Sequence, residues 1–171
     1  SEPRDRRLSD AEIKKLLMGN RTSPVMKSII EIALETGMRL SEILRADPAL
    51  IVGHTLEIPI TKTKPRTIPL TPRALKLLRE AELPFKVSKW YVSKQFRKLC
   101  QGYGIKGAVF HTLRHNALTD FMRKYDLNVP ETMKIAGHSD PRQLLRIYNN
   151  LEAHHVANKL KLIRVEGKKL N

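Results

Sequence analysis

The sequence predicts a mainly α-helical domain carrying one small three-stranded antiparallel sheet, an α+β fold. Three observations predict it. Segments on both flanks place apolar residues at helical spacing behind capping residues. Between about Leu50 and Leu70 the pattern switches to short β-branched runs broken by Gly53, Pro59 and Pro65. At 171 residues and 41% hydrophobic content, the chain suits one domain with a real core.

Taken in order, Ser9-Asp10-Ala11-Glu12 is a capping box that opens a helix with Ile13, Leu16 and Leu17 on one face. Ser23-Pro24 starts a second helix with proline at its first position. Its interior (Val25, Met26, Ile29, Ile30, Ile32, Ala33, Leu34) is apolar nearly all round, as expected of a central buried helix. Gly37 suits a left-handed stop, and a short helix follows from about Ser41 to Arg45. Leu50–Val52, Leu56–Ile60 and Arg66–Leu70 read as the three strands, with the prolines confined to edges or strand ends. Thr71-Pro72 opens a helix bearing Leu75, Leu77 and Leu78, and Ser88 to about Gly102 forms a longer one with Trp90, Phe96 and Leu99. The remainder reads as helices over about Thr112–Tyr125, Pro130–Ala136, Pro141–Ile147 and Glu152–Ile163. No internal repeat or low-complexity tract interrupts them.

Charge narrows the partner. Lys and Arg number 32 against 17 Asp and Glu, a formal net charge of +15. A field of that sign draws polyanions at long range, although ribosomal, chromatin and membrane-surface proteins share such a balance. No apolar run approaches the roughly 18–20 residues of a membrane span. Cys100, the single cysteine, excludes an internal disulfide and reads as buried filler on a helix. The six histidines lack cysteine partners or an HExxH spacing, and there is no glycine-rich phosphate loop, so no metal or nucleotide cofactor is expected.

Four ordered segments carry polar residues suited to phosphate chemistry. Arg39 lies in Thr36-Gly37-Met38-Arg39-Leu40-Ser41-Glu42, and Lys62 in Thr61-Lys62-Thr63-Lys64-Pro65-Arg66, the turn between the second and third strands. His111 and Arg114 lie in His111-Thr112-Leu113-Arg114-His115, His138 in Ala136-Gly137-His138, and Tyr148 follows ten residues later. From about Leu8 to about Leu162 these segments resemble the tyrosine recombinase (phage integrase) family, whose catalytic domain carries an arginine, a lysine, an HxxR pair, a histidine and a tyrosine in this order.

The resemblance implies a site-specific DNA recombinase in which Tyr148 attacks a phosphodiester, forming a 3′-phosphotyrosine and releasing a 5′-hydroxyl. Attack adds negative charge at the non-bridging oxygens. A guanidinium fork answers it with paired donors that stay charged at any working pH. Arg39 and Arg114 match the family's two arginines, and Glu42, three positions after Arg39, offers that arginine a salt bridge instead of or beside phosphate. His111 shares a helix face with Arg114 and is implied to hydrogen-bond a phosphate oxygen or to act as a proton acceptor, a helix cap being its other reading. His115, rotated off that face, reads as structural. Lys62 is implied to protonate the leaving oxygen, with Lys64 as the alternative in a turn one residue tighter than is common. His138 is implied to hydrogen-bond the phosphate.

Tyr148 is the nucleophile that the resemblance implies; the other tyrosines fit the family's order worse, since Tyr91 and Tyr103 precede the HxxR segment and Tyr125 precedes His138. Its other reading is a helix-end aromatic packed on the core. Family members commonly place the tyrosine nine residues after the histidine, a position held here by Ile147.

By the same resemblance the reaction needs neither metal nor ATP. The partner is a double-stranded DNA recombination site, with a homotetramer on paired sites and a monomer without DNA. The setting is cytoplasmic, in a prokaryotic cell or encoded by a phage or plasmid, with no membrane association. Residues 1–7 read as a linker and 8–171 as the catalytic domain, without the N-terminal DNA-clamping domain that family members carry. Two other readings stand beside this one: type IB topoisomerase chemistry, and a DNA-binding module that makes no covalent step.

Overall fold

The computed structural model describes residues 6–61, 64–137 and 141–170, with side chains up to Lys161. Eight α-helices are described: α1 (Asp10–Met18), α2 (Pro24–Thr36), α3 (Leu40–Arg45), α4 (Pro72–Glu80), α5 (Lys89–Tyr103), α6 (Thr112–Arg123), α7 (Val129–Ala136) and α8 (Arg142–Leu170). One sheet of order β1-β2-β3 is formed by Ile51–Val52, Thr55–Ile58 and Arg66–Pro69.

The capping chemistry is local and follows the sequence. Ser9 and Glu12 close a reciprocal box on α1, and the hydroxyls of Ser23, Thr71 and Ser88 accept from the backbone N–H three residues on. α2 is the axis of the core. Ile29, Ile30, Ile32 and Ala33 are fully buried, and the helix packs against α1, α4, α5 and α6. Cys100 is buried, and Phe96 meets Phe110 edge-on with ring centres 5.6 Å apart. Trp90 does not join this core. It is 69% exposed, with the Lys94 ammonium 4.7 Å above its ring.

The sheet is antiparallel throughout, with Leu56 opposite Ile68 and Ile58 opposite Arg66. β2 stops at Ile58, before Pro59, which cannot donate to a ladder, whereas β3 runs on through Pro69 opposite Thr55. Leu56, Ile58 and Ile68 fill the sheet's inner face. Period-2 alternation puts Arg66 on that same face, two residues before Ile68.

The C-terminal segment departs from expectation. Two helices were expected, over about Pro141–Ile147 and Glu152–Ile163, whereas α8 runs unbroken from Arg142 to Leu170. Asn149 and Asn150 are weak helix formers, but no glycine or proline stands between the two expected pieces to stop propagation. Leu144 and Ile147 anchor the first turns in the core, and the side chains from Ala153 to Lys161 are exposed. No helix among the described residues is long and apolar enough to cross a membrane.

One buried amide ties the start of the domain to its centre. Asn116 on α6 accepts from Leu8 N–H at 2.9 Å and donates to Leu8 C=O at 2.9 Å, satisfying both main-chain groups in an otherwise apolar setting. Asn116→Leu removes both partners at once and should destabilise the fold by about 2–4 kcal/mol, the desolvation cost of two unpaired backbone groups. Urea denaturation checks this; a midpoint unchanged from the parent protein would show that Leu8 finds other partners.

Candidate active site

The polar centre begins with two helix ends that stop in the left-handed region. Gly37 (φ 68°) closes α2 and Gly137 (φ 65°) closes α7, each a conformation that glycine adopts without a Cβ penalty. Both ends leave carbonyls without intrahelical partners, and Arg114 reaches them together. Its Nη1 donates to Gly37 C=O at 2.5 Å and its Nη2 to Ala136 C=O at 2.7 Å. Arg114 itself stands on the first turn of α6 and is only 3% exposed. Burial and the charge of Arg39 push its guanidinium down to about 9; Glu42 partly offsets this and Arg66 adds to it. It remains charged at neutral pH, in surroundings that favour an added anion.

Arg39 leaves Gly37 by two residues and caps α3. Glu42, at the third helical position, accepts from Arg39 backbone N–H at 3.0 Å, so the sequence-adjacent carboxylate is spent first on the backbone. The side-chain pairing is looser: Arg39 Nη1 stands 3.9 Å from Glu42 Oε2, an ion pair without a hydrogen bond. That Nη1 is closed to solvent and makes no hydrogen bond with any described residue. The salt-bridge alternative for Arg39 is thus realised only in part.

The carboxylate is occupied instead by Arg66, which delivers two donors, Nη1 to Oε2 at 2.5 Å and Nη2 to Oε1 at 3.0 Å. Arg66 Nε donates to Ile135 C=O at 2.9 Å. Burial raises the pKa of Glu42, but the hydrogen bonds from Arg66 and from Arg39 N–H, with both positive charges, outweigh it and hold the carboxyl below its ordinary value. Two guanidinium groups therefore share one carboxylate, and its charge is also felt at Arg114.

A cleft of about 320 Å³ opens from this cluster. Arg39, His111 and Arg114 line it together, so the structure joins three of the six residues singled out in the sequence. His111 is exposed at the N-cap of α6 and makes no capping bond with its side chain, which sets aside the cap reading. His115 is half-buried on the other side and lines a different groove. Lys62 and His138 lie outside the described residues. Lys64 is exposed, with its carbonyl accepting from Thr61 Oγ1 at 2.9 Å. Tyr148 stands on α8, half-buried against the core, and is not among the residues lining the cleft.

Four participants escaped the sequence reading. Lys89, Ser93 and Arg97 line the opposite wall of the cleft, at i, i+4 and i+8 along α5, a spacing that was visible once the helix was drawn. Arg66 was read as part of a basic turn. Its alternation with Ile68 and Leu70 was the available signal that it faces inward.

No family model matches the chain. A shufflon-specific DNA recombinase of Escherichia coli is 32% identical over 179 residues, which takes in 99% of this chain and 46% of that protein. The chain thus spans about half the length of the curated relative that it matches. Among solved structures, XerA recombinase has a TM-score of 0.69 at 17% identity, covering 92% of this chain and 66% of that one. The Tn1549 transposon integrase in complex with circular intermediate DNA has a TM-score of 0.71 at 16% identity, covering 91% and 68%. A lambda integrase dimer bound to a COC′ core site has a TM-score of 0.67 at 21% identity, covering 82% and 60%.

The lowered pKa of Glu42 makes a stability prediction with a definite sign. A carboxyl whose folded pKa lies below 4.5 adds stability above pH 4.5 and loses it as pH falls through the folded value. Glu42→Gln should therefore lower the thermal midpoint near pH 7, and the gap from the parent should narrow as pH drops below about 4.5. Calorimetry across that range checks it; a gap constant with pH would mean that the charge of Glu42 does not contribute.

Proposed function

From a chain that has the tyrosine recombinase catalytic-domain fold and is related in sequence to a shufflon-specific DNA recombinase, we propose a site-specific DNA recombinase that works through a covalent 3′-phosphotyrosine. The observation that carries this reading is the cleft in which Arg39, His111 and Arg114 converge. Two buried or half-buried guanidinium groups beside a single, already engaged carboxylate form a site short of negative charge. A backbone phosphate supplies that charge. As attack proceeds, the charge on its non-bridging oxygens grows and the clamp tightens, which is transition-state rather than ground-state stabilisation.

In this reading residues 8–171 act as the catalytic domain. The Tyr148 oxygen attacks phosphorus as its phenolic proton passes to His111 as acceptor, the bond to the 5′-oxygen breaks, and Lys62 donates the proton that the departing oxygen takes up. Arg39 and Arg114 hold the non-bridging oxygens, with His111 and His138 as further hydrogen-bond partners. The phosphotyrosine linkage conserves the energy of the broken phosphodiester, so neither metal nor ATP is needed for rejoining. The DNA partner is a double-stranded recombination site, and exchange between two sites calls for four protomers. The setting is the cytoplasm.

Tyr148 favours a second reading. It lies off the cleft and ten residues after His138, as expected of a DNA-binding module that makes no covalent step. One experiment separates the two. On nicked suicide duplexes whose flanking oligonucleotide diffuses away, the recombinase reading expects a covalent protein–DNA band that Tyr148→Phe abolishes and Arg114→Ala slows by about 10²–10³-fold. Salt-sensitive DNA binding with no such band would favour the module. A band that survives Tyr148→Phe would move the nucleophile elsewhere. For either reading, affinity should fall with salt at a log–log slope of about −0.9 per phosphate contact. A flat titration would count against a phosphate-led interface.

A further inference from the structure

Arg39 has a side-chain nitrogen that is closed to solvent, charged and without a hydrogen bond to any described residue, although a carboxylate stands 3.9 Å away. That arrangement is costly, and something must hold the two groups apart. Glu42 and Arg39 are three residues apart on one short helix, where an ion pair normally closes to hydrogen-bond distance. Glu42 does not close because both its oxygens are taken. Oε1 accepts from Arg39 N–H and from Arg66 Nη2, and Oε2 accepts from Arg66 Nη1 at 2.5 Å.

Arg66 is in turn fixed from three directions. It extends from the inner face of β3, its Nε is bonded to Ile135 C=O near the end of α7, and its side chain lies against Gly137. A Cβ built on Gly137 would come within 2.7 Å of Arg66 Cδ and 2.8 Å of Nε, so that residue must be glycine for space as well as for its positive φ. The guanidinium plane is therefore aimed at Glu42 by a strand, a helix end and a glycine together.

We infer that Arg66 is a positioning residue of the phosphate clamp: by occupying the Glu42 carboxylate it keeps the donors of Arg39 available for the phosphate. The inference rests on the phosphate-clamp reading above. It requires the fork of an arginine, not only a positive charge. Lysine at this position has one ammonium, which cannot meet both carboxylate oxygens in parallel, and so would leave one of them to Arg39. If the fork is withdrawn, Glu42 closes on Arg39 and the clamp loses an arm.

The test follows the Arg39 side chain directly, without requiring cleavage. In the full chain labelled with ¹⁵N, the Arg39 Nε–Hε resonance is assigned with Arg39→Lys and titrated with inorganic phosphate. Arg39 in the parent protein should shift saturably. Arg66→Met should weaken that response about tenfold, the loss of one charge-assisted hydrogen bond. Arg66→Lys, which keeps the charge, should weaken it by an intermediate factor. Arg66→Met combined with Glu42→Gln should recover most of the loss, because the amide still caps Arg39 N–H but no longer attracts its guanidinium. A parent-like response from Arg66→Lys would overturn the inference, since charge alone would then suffice. A double variant no better than Arg66→Met would overturn it too. No response at Arg39 in the parent protein would instead remove the phosphate clamp itself, and the role of Arg66 with it.

Discussion

Three guanidinium groups and one carboxylate meet where α3, α6, the end of α7 and β3 converge, and the number of carboxylates decides what the rest can do. With no acid, three like charges in a largely desolvated space would repel beyond what the fold could offset. With three, the cluster would be neutralised and indifferent to phosphate. Glu42 is a single acid with both oxygens engaged, so attraction is enough to gather the arginines and not enough to satisfy them. Removing one partner of such a buried pair typically costs about 3–5 kcal/mol, because the remaining charge is stranded. Stability and anion affinity thus depend on the same four side chains.

The second constraint is the way backbone ends are used. Arg114 is oriented by main chain and not by a carboxylate. It takes the carbonyls of Gly37 and Ala136 at the C-terminal ends of α2 and α7, where the helix dipoles are negative. Gly37 and Gly137 are what turn the chain at those ends. Arg114 is consequently oriented by main chain from two helices, and its position is as fixed as their packing. A clamp built this way loses little entropy on meeting phosphate, which is the physical content of preorganisation.

Much of the fold was legible because its signals are local. Ser9, Ser23, Thr71 and Ser88 each announce a helix start, and each caps one. The switch from helical spacing to short β-branched runs located the sheet and its order. α8 was read as two helices, although neither Asn149 nor Asn150, which stand between the two pieces, forbids helical dihedrals. At the site, Arg39, His111 and Arg114 were found as members of an ordered motif. What could not be read was who holds whom. The competition between Arg39 and Arg66 for Glu42 joins residues 24 positions apart, and the contact of Arg66 with Ile135 spans 69. Pairings at such separations depend on tertiary placement, which no local pattern encodes. The inward face of Arg66 was encoded, through alternation with Ile68, but a basic turn nearby concealed it.

The proposed clamp and the proposed nucleophile are anchored differently, and that asymmetry bears on how the proposed reaction would be controlled. Arg114 is held by buried bonds to two main-chain carbonyls, and Arg39 is held through its backbone N–H, which donates to Glu42. Tyr148 rides on α8, whose seating in the core rests on Leu144 and Ile147, with Leu151 half-buried beyond them. Tyr148 comes four residues after Leu144 and three before Leu151, so it lies on the same helix stripe and is half-buried there. The phenol is therefore aimed by the seating of α8, and a change in that seating need not disturb the clamp. On the proposed reading, phosphate binding and phosphate attack are then separable events: the arginines can engage DNA first, and cleavage waits for the helix.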